Sequence, residues 1–208
     1  AQAQESFTAA TQSSDLKAAW RVVENGAADA LAVQSRTFDL VVTGQHNPDD
    51  DLFIADHEMP DRMILTSGRP ALVIPYTGEY ETIGKNVMIA WDGGRQACRA
   101  VHDALPVLKD AKKVTIMVIN AKKGGNDPNE TPGSGLARHL GEHGITAEIE
   151  HLTTDINPGD MLLSREADKG VDLIVMGAYG HARWTELVLG GVTKHILEHM
   201  TVPVLMSH

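Results

Sequence analysis

Four glycines near the carboxyl end have the types and spacing of a main-chain site for an anion. Gly177 closes an apolar run, Gly180 follows three residues later, and Gly190 and Gly191 come ten and eleven residues after that. Glycine lacks a Cβ, so phosphate oxygens can approach its backbone N–H closely. Gly190 and Gly191 also stand just ahead of VTKHILEHM, in which Val192, Ile196, Leu197 and Met200 share one helical face. A helix amino terminus offers unpaired N–H groups and a partial positive charge. The chemistry expected here is an anion such as phosphate approaching the main chain where the strand ends and the helix begins. Any one of these glycines alone reads rather as a turn or a helix cap; the set carries the expectation.

Elements must bring these glycines together. Residues 171–176 (VDLIVM) are apolar without helical period, as in a strand buried on both faces of a parallel sheet. The same pattern precedes them: strand 86–91 (NVMIAW) ending at Asp92-Gly93-Gly94, and helix 96–108 with Ala97, Val101, Ala104, Leu105 and Leu108 in a stripe, Pro106 being placed to kink it. Strand 114–119, a Gly/Pro-rich loop, helix 136–142, strand 145–152, helix 159–169 and a closing strand 202–206 complete the series. Five strands alternating with helices predict an α/β, doubly wound parallel sheet with right-handed crossovers. Ligands of such sheets lie beyond the carboxyl ends of the strands.

The first part of the chain repeats this order incompletely. A polar helix to about residue 13, a strand at 16–23, a turn at Asn25-Gly26, a helix at 27–35, a buried strand at 38–43, a helix at about 56–66 and a strand at 71–74 are expected. Asp39-Leu40-Val41-Val42 resembles Asp172-Leu173-Ile174-Val175, Gly44 matches Gly177, and Pro70 matches Pro203; 172 − 39, 177 − 44 and 203 − 70 each give 133. A shared interval without gaps predicts a duplication. The division expected is an incomplete, degenerate domain at 1–80 and a complete domain at 81–208. In the first copy Asn47, His57 and Glu58 replace Gly180, Gly190 and Gly191, so only the second keeps the cradle.

Gly177, two residues, Gly180, nine residues and Gly190 resemble the G-x2-G-x9-G-[S/T] pattern of the universal stress protein family, over residues 83–208 and more loosely over 1–80. The resemblance implies an adenine nucleotide alpha hydrolase-like fold of five parallel strands in the order 3-2-1-4-5, which puts Asp92 and Gly177 on one cleft. It implies ATP or AMP as ligand, with Mg²⁺ as a possible companion. Asp92 would lie by the ribose and adenine, the main chain near Ile119 would read the adenine edge, and Gly177, Gly180, Gly190, Gly191, Val192 and Thr193 would cradle ribose and phosphates. Two positions depart from the family pattern: Gly191 replaces its Ser or Thr, and Asp92-Gly93-Gly94 lacks the Ser of its V-D-x-S turn. Read without the resemblance, Asp92 serves equally as a helix cap.

Relatives pair two such domains through their last strands, which implies that 71–74 and 202–206 meet in an intramolecular pseudo-dimer, or that a homodimer forms. A regulatory protein partner is implied too. The counterpart of Asp92 in the first copy would fall 80 residues before Asp39, ahead of Ala1, so the strands at 16–23 and 38–43 would each lack a neighbour. Upstream residues or another chain are expected to supply the missing strands.

The 208 residues, 42% hydrophobic, can bury a sizeable core. A net charge of −10 argues against nucleic-acid binding, which needs clustered Lys and Arg. No run approaches the roughly 20 apolar residues of a membrane span, and the amino-terminal stretch lacks the apolar core of a signal peptide, so the cytoplasm is expected and a membrane is not. The single cysteine, Cys98, makes no intrachain disulfide and reads as a small buried helix residue. His195 and His199, four apart, lack the Glu and third ligand of a zinc helix and read as surface residues. No Walker or G-x-S-x-G motif is present, and no catalytic residue is assigned; His181 and Arg183 read as solvated loop positions near the phosphates. Two alternatives stay open: an interaction module that binds no nucleotide, and a nucleotide-hydrolysing or adenylyl-transferring enzyme. The second needs a basic or metal-binding group not identified in the sequence.

Overall fold

The computed structural model describes residues 2–12, 17–23, 27–48, 59–121, 131–180 and 191–208. In chain order these contain α1 (Gln2–Gln12), α2 (Ala27–Ser35), β1 (Val41–Gly44), α3 (Met59–Thr66), β2 (Ala71–Ile74), β3 (Asn86–Ala90), α4 (Arg95–Lys109), β4 (Lys113–Ile119), α5 (Ser134–Glu142), β5 (Glu148–Leu152), α6 (Pro158–Lys169), β6 (Leu173–Gly177), α7 (Gly191–His199) and β7 (Val204–Ser207).

The strands join in one sheet, ordered β1-β2-β7-β6-β3-β4-β5. Every neighbouring pair is parallel except β2 and β7, which run antiparallel. The expectation of a five-stranded sheet is therefore corrected: β5-β4-β3-β6-β7 form five of the strands, and β2 and β1 extend the sheet past β7. The extension follows from apolar continuity, because Ala71 and Val73 of β2 are fully buried and share a core with Val204 and Met206 of β7.

Side chains alternate between the two faces of the sheet. Val87 and Ile89 of β3 pack under Ala100, Val101, Ala104, Leu105 and Leu108 of α4 and Leu136 and Leu140 of α5. Met88 points the other way, into a core with Ile64 of α3, Leu162 of α6 and Ile196 of α7. The stripe on α4 is thus the buried one, and the helix runs through Pro106 to Lys109. α6 is bounded by its own residues: the Asn157 side chain accepts a hydrogen bond from Gly159 N–H at 2.8 Å, Pro158 opens the first turn, and Gly170 closes it with φ of 60°.

Three expectations fail. Residues 17–23, which fall in the strand expected at 16–23, are irregular, and Val22 is 73% exposed; Lys17 and Arg21 interrupt their apolar positions, and they pair with no strand of the sheet. The strand at 38–43 is shorter and lies at an edge: β1 pairs with β2 alone, leaving Phe38 and Val42 exposed. Cys98 is exposed, since it lies about 100° round α4 from Ala97, at the margin of the buried stripe. The turn at Asn25-Gly26 and the expected start of the third helix at residue 56 lie outside the described residues.

Candidate functional site

The parallel registers Ala90↔Met117 and Ala90↔Met176 bring β3, β4 and β6 to a common level. The residues that follow these strand ends, with the amino-terminal turns of α4, α6 and α7, enclose a cleft of about 300 Å³. Its walls include Asp92, Ile119, Gly177, Gly180, Gly191, Val192 and Thr193, so seven of the eight residues singled out in the sequence meet there. The eighth, Gly190, lies outside the described residues, as do His181 and Arg183.

Asp92 does not cap α4. Its carboxylate accepts a hydrogen bond from Gly94 N–H at 2.7 Å, two residues on, and Gly94 itself is the N-cap residue, with no side-chain cap. A Cβ on Gly94 would lie 2.9 Å from the Asp92 carboxylate, so the absent serine has a local cause. Gly177 also answers to packing: a Cβ there would stand 2.4 Å from Ala97 N, and glycine lets the first turn of α4 cross the end of β6. Gly180 faces the cleft, where a Cβ would reach 3.2 Å from Gln96 Oε1 and 4.0 Å from Asp92 Oδ2. A Cβ on Gly191 would meet none of the described residues within 4 Å. Thr193 is buried, and its hydroxyl oxygen accepts from Tyr179 N–H at 3.1 Å, which joins the start of α7 to the 177–180 turn.

Ile119 ends β4 and is followed by Asn120 at φ of 50°, whose side chain exchanges hydrogen bonds with the Thr154 backbone at 2.9 and 3.0 Å. Further wall residues, Trp91, Gln96, Met117, Pro158, Leu162 and Met176, escaped the sequence reading. Gln96 is the legible one among them, a polar residue beside the apolar stripe in the first turn of α4. Tyr179 escaped it too. Lying between the two glycines at φ of 57°, it is buried, its hydroxyl donates to Asp61 of α3, and its ring stands edge-on to His208 at 6.4 Å.

His195 is more than a surface residue: its Nε2 lies 2.7 Å from Asp160 Oδ1, tying α7 to the first turn of α6, and its ring stacks on His199 at 4.4 Å. Among the described residues no Lys or Arg lines the cleft, and no group of three or more His, Cys, Asp or Glu is placed to hold a metal ion. Two turns further along α6, burial raises the pKa of Glu166, against the lowering effect of the Thr201 hydroxyl that donates to it at 2.7 Å. Burial, and secondarily the Glu166 charge, raise that of Tyr80.

With this geometry established, residues 84–208, more than half of the chain, match the family described as the Universal stress protein family. The chain belongs to the universal stress protein family. It is 27% identical over 180 residues to the universal stress protein Slr1230 of Synechocystis sp., a match covering 85% of this chain and 60% of that protein. The chain thus spans about 60% of the length of that curated relative. A universal stress protein of Archaeoglobus fulgidus shares the fold with a TM-score of 0.72 at 16% identity, over 99% of this chain and 76% of that one. The Pseudomonas aeruginosa protein PA1789, of unknown function, gives 0.58 at 14% identity over 99% and 76%. Both likenesses concern the fold. They cover this universal stress protein from end to end, the residues before 84 included. No helix among the described residues is long and apolar enough to cross a membrane.

Proposed function

We propose that this universal stress protein binds an adenine nucleotide, ATP or AMP, in the cleft between Asp92 and the amino terminus of α7, and acts as a cytoplasmic regulatory protein read by a protein partner. The single observation behind the reading is that opposed pair of walls: a carboxylate able to accept from ribose hydroxyls on one side, and on the other the first turn of α7 at Gly191, Val192 and Thr193, where helix N–H groups favour an anion. Gly180 and Gly191 put no side chain of their own into the cleft. Met117, Ile119, Leu162 and Met176 supply the apolar surface an adenine ring needs. Mg²⁺ would arrive with the phosphates of ATP. The segment 1–80 is taken as the degenerate copy of the domain at 81–208, packed on it as an internal partner; the recurring interval of 133 residues supports this. A homodimer would be a further level of assembly.

A second reading has an observation of its own. Thr193, the hydroxyl nearest the missing Ser or Thr, is engaged by Tyr179 N–H, which favours an interaction module without nucleotide. Calorimetric titration with ATP, ADP and AMP, with and without Mg²⁺, decides between the two. Saturable binding below millimolar concentration supports the nucleotide reading, and no heat up to that concentration supports the module. Rapid turnover of bound ATP would instead make the chain an enzyme.

A further inference from the structure

We infer that the hydrogen bond from Tyr179 to Asp61 is a positioning device through which the 27–74 segment sets the nucleotide affinity of the cleft; this rests on the nucleotide reading above. Tyr179 occupies the left-handed region that side chains other than glycine rarely adopt, at φ of 57°, and it does so between the two glycines of the turn. Such a conformation persists only where its surroundings determine it. Here they come from three directions. The Tyr179 hydroxyl donates to the carboxylate of Asp61, 118 residues earlier in the chain. Its N–H donates to Thr193 Oγ1, and His208 Nδ1 lies 3.0 Å from the carbonyl oxygen of Ala178.

Asp61 is well suited to the task. It lies in the first turn of α3, where the partial positive charge of the helix start favours an ionised carboxylate, and a hydroxyl donating to a carboxylate is among the stronger hydrogen bonds. The same segment also holds the far end of α7: Gln45 Nε2 donates to Leu197 O in the last turn of that helix at 2.8 Å, and Gln45 Oε1 accepts from Tyr76 N–H at 3.3 Å. Ile64 of α3 shares a core with Met117, Leu162 and Met176, all of them cleft residues. Freeing Tyr179 from Asp61 therefore releases the turn that presents Gly180 to Asp92, and through Thr193 the helix start that presents Gly191. Coupling is reciprocal, so bound nucleotide would also tighten the contact between the segment and the domain.

The test uses the full chain with Tyr179→Phe, Asp61→Asn and the double variant. Two measurements are made on each: affinity for ATP and AMP, and hydrogen exchange of the ligand-free protein by mass spectrometry. Each single variant is expected to weaken binding by roughly five- to tenfold, and the double variant no more than the stronger single. Exchange is expected to quicken at 177–180 and 191–193 and not elsewhere. Unchanged affinity in both singles, multiplying effects in the double variant, or exchange quickened across the whole chain would each overturn the inference. Should the parent protein bind neither nucleotide, the nucleotide reading fails by itself; local, non-additive quickening of exchange then sustains the tether, and unchanged exchange overturns it.

Discussion

Leu72 of β2 and Leu205 of β7 stand directly opposite each other across the antiparallel junction, and 205 − 72 gives 133, the interval that also separates Gly44 from Gly177. The flanking pairs obey the same relation. Ala71 faces Met206 and Val73 faces Val204, while 71 + 133 is 204 and 73 + 133 is 206. A half-turn about the Leu72–Leu205 pair therefore exchanges the two strands and brings each residue onto the one 133 positions away. The surroundings are unequal. Leu205 is buried beneath α4, whereas Leu72 is only partly buried at the margin of the same core.

That inequality predicts different costs for the same truncation. Leu205→Ala should destabilise by about 3 kcal/mol and Leu72→Ala by about 1 kcal/mol, as cavity and transfer losses scale with burial. Urea denaturation of both variants measures the difference; equal losses would contradict the asymmetry.

Two cleft glycines should respond oppositely to a side chain. Gly177→Ala forces a Cβ against the backbone of Gln96 and Ala97 and should cost on the order of 2–3 kcal/mol. Gly191→Ser meets none of the described residues within 4 Å, should leave the melting temperature unchanged, and places a hydroxyl at the start of α7, with ATP affinity rising roughly three- to tenfold, the worth of one net hydrogen bond. Melting curves and calorimetry on the two variants check both statements.

Gly180→Val tests the cleft itself. The added side chain meets the flexible end of Gln96 and extends toward Asp92, so folding should be preserved while nucleotide affinity falls at least about tenfold. A binding isotherm unchanged from that of the parent would place the ligand elsewhere.

The pH dependence has a defined sign. Burial raises the pKa of Glu166 in the folded protein above its value in the unfolded chain, so the folded state holds the proton more tightly. Its contribution is fully present below the ordinary glutamate pKa and is lost as pH rises through the raised folded value. Glu166→Gln removes the ionisation yet still accepts from Thr201. At neutral pH it should raise the melting temperature, and the gap should close as the pH falls below the ordinary glutamate pKa. Thermal melts across this range, parent against variant, give the answer.

What could be read from the residues follows from which interactions are local. Strands β3, β4, β6 and β7 announced themselves because both faces are covered, leaving apolar runs such as LIVM; β5 did so by alternation at an edge. Residues 17–23 (KAAWRVV) are only partly apolar and form no strand, since pairing depends on a neighbour that composition cannot reveal. Cys98 and Ala97 are adjacent in sequence but lie on different sides of α4, and one residue of phase decides between core and solvent. At the cleft, the glycines were legible because missing side chains leave a sequence trace. Tyr179–Asp61 was not, because a bond spanning 118 residues leaves none.

The thiol that faces outward from α4 offers a practical opening. Cys98 is the one cysteine in the chain, it is exposed, and it directly follows Ala97 in the wall of the cleft. A maleimide fluorophore would therefore attach at a single place without prior mutagenesis, within one helical turn of Gln96 and the Asp92 turn, and its emission would report ligand arrival in the unaltered polypeptide.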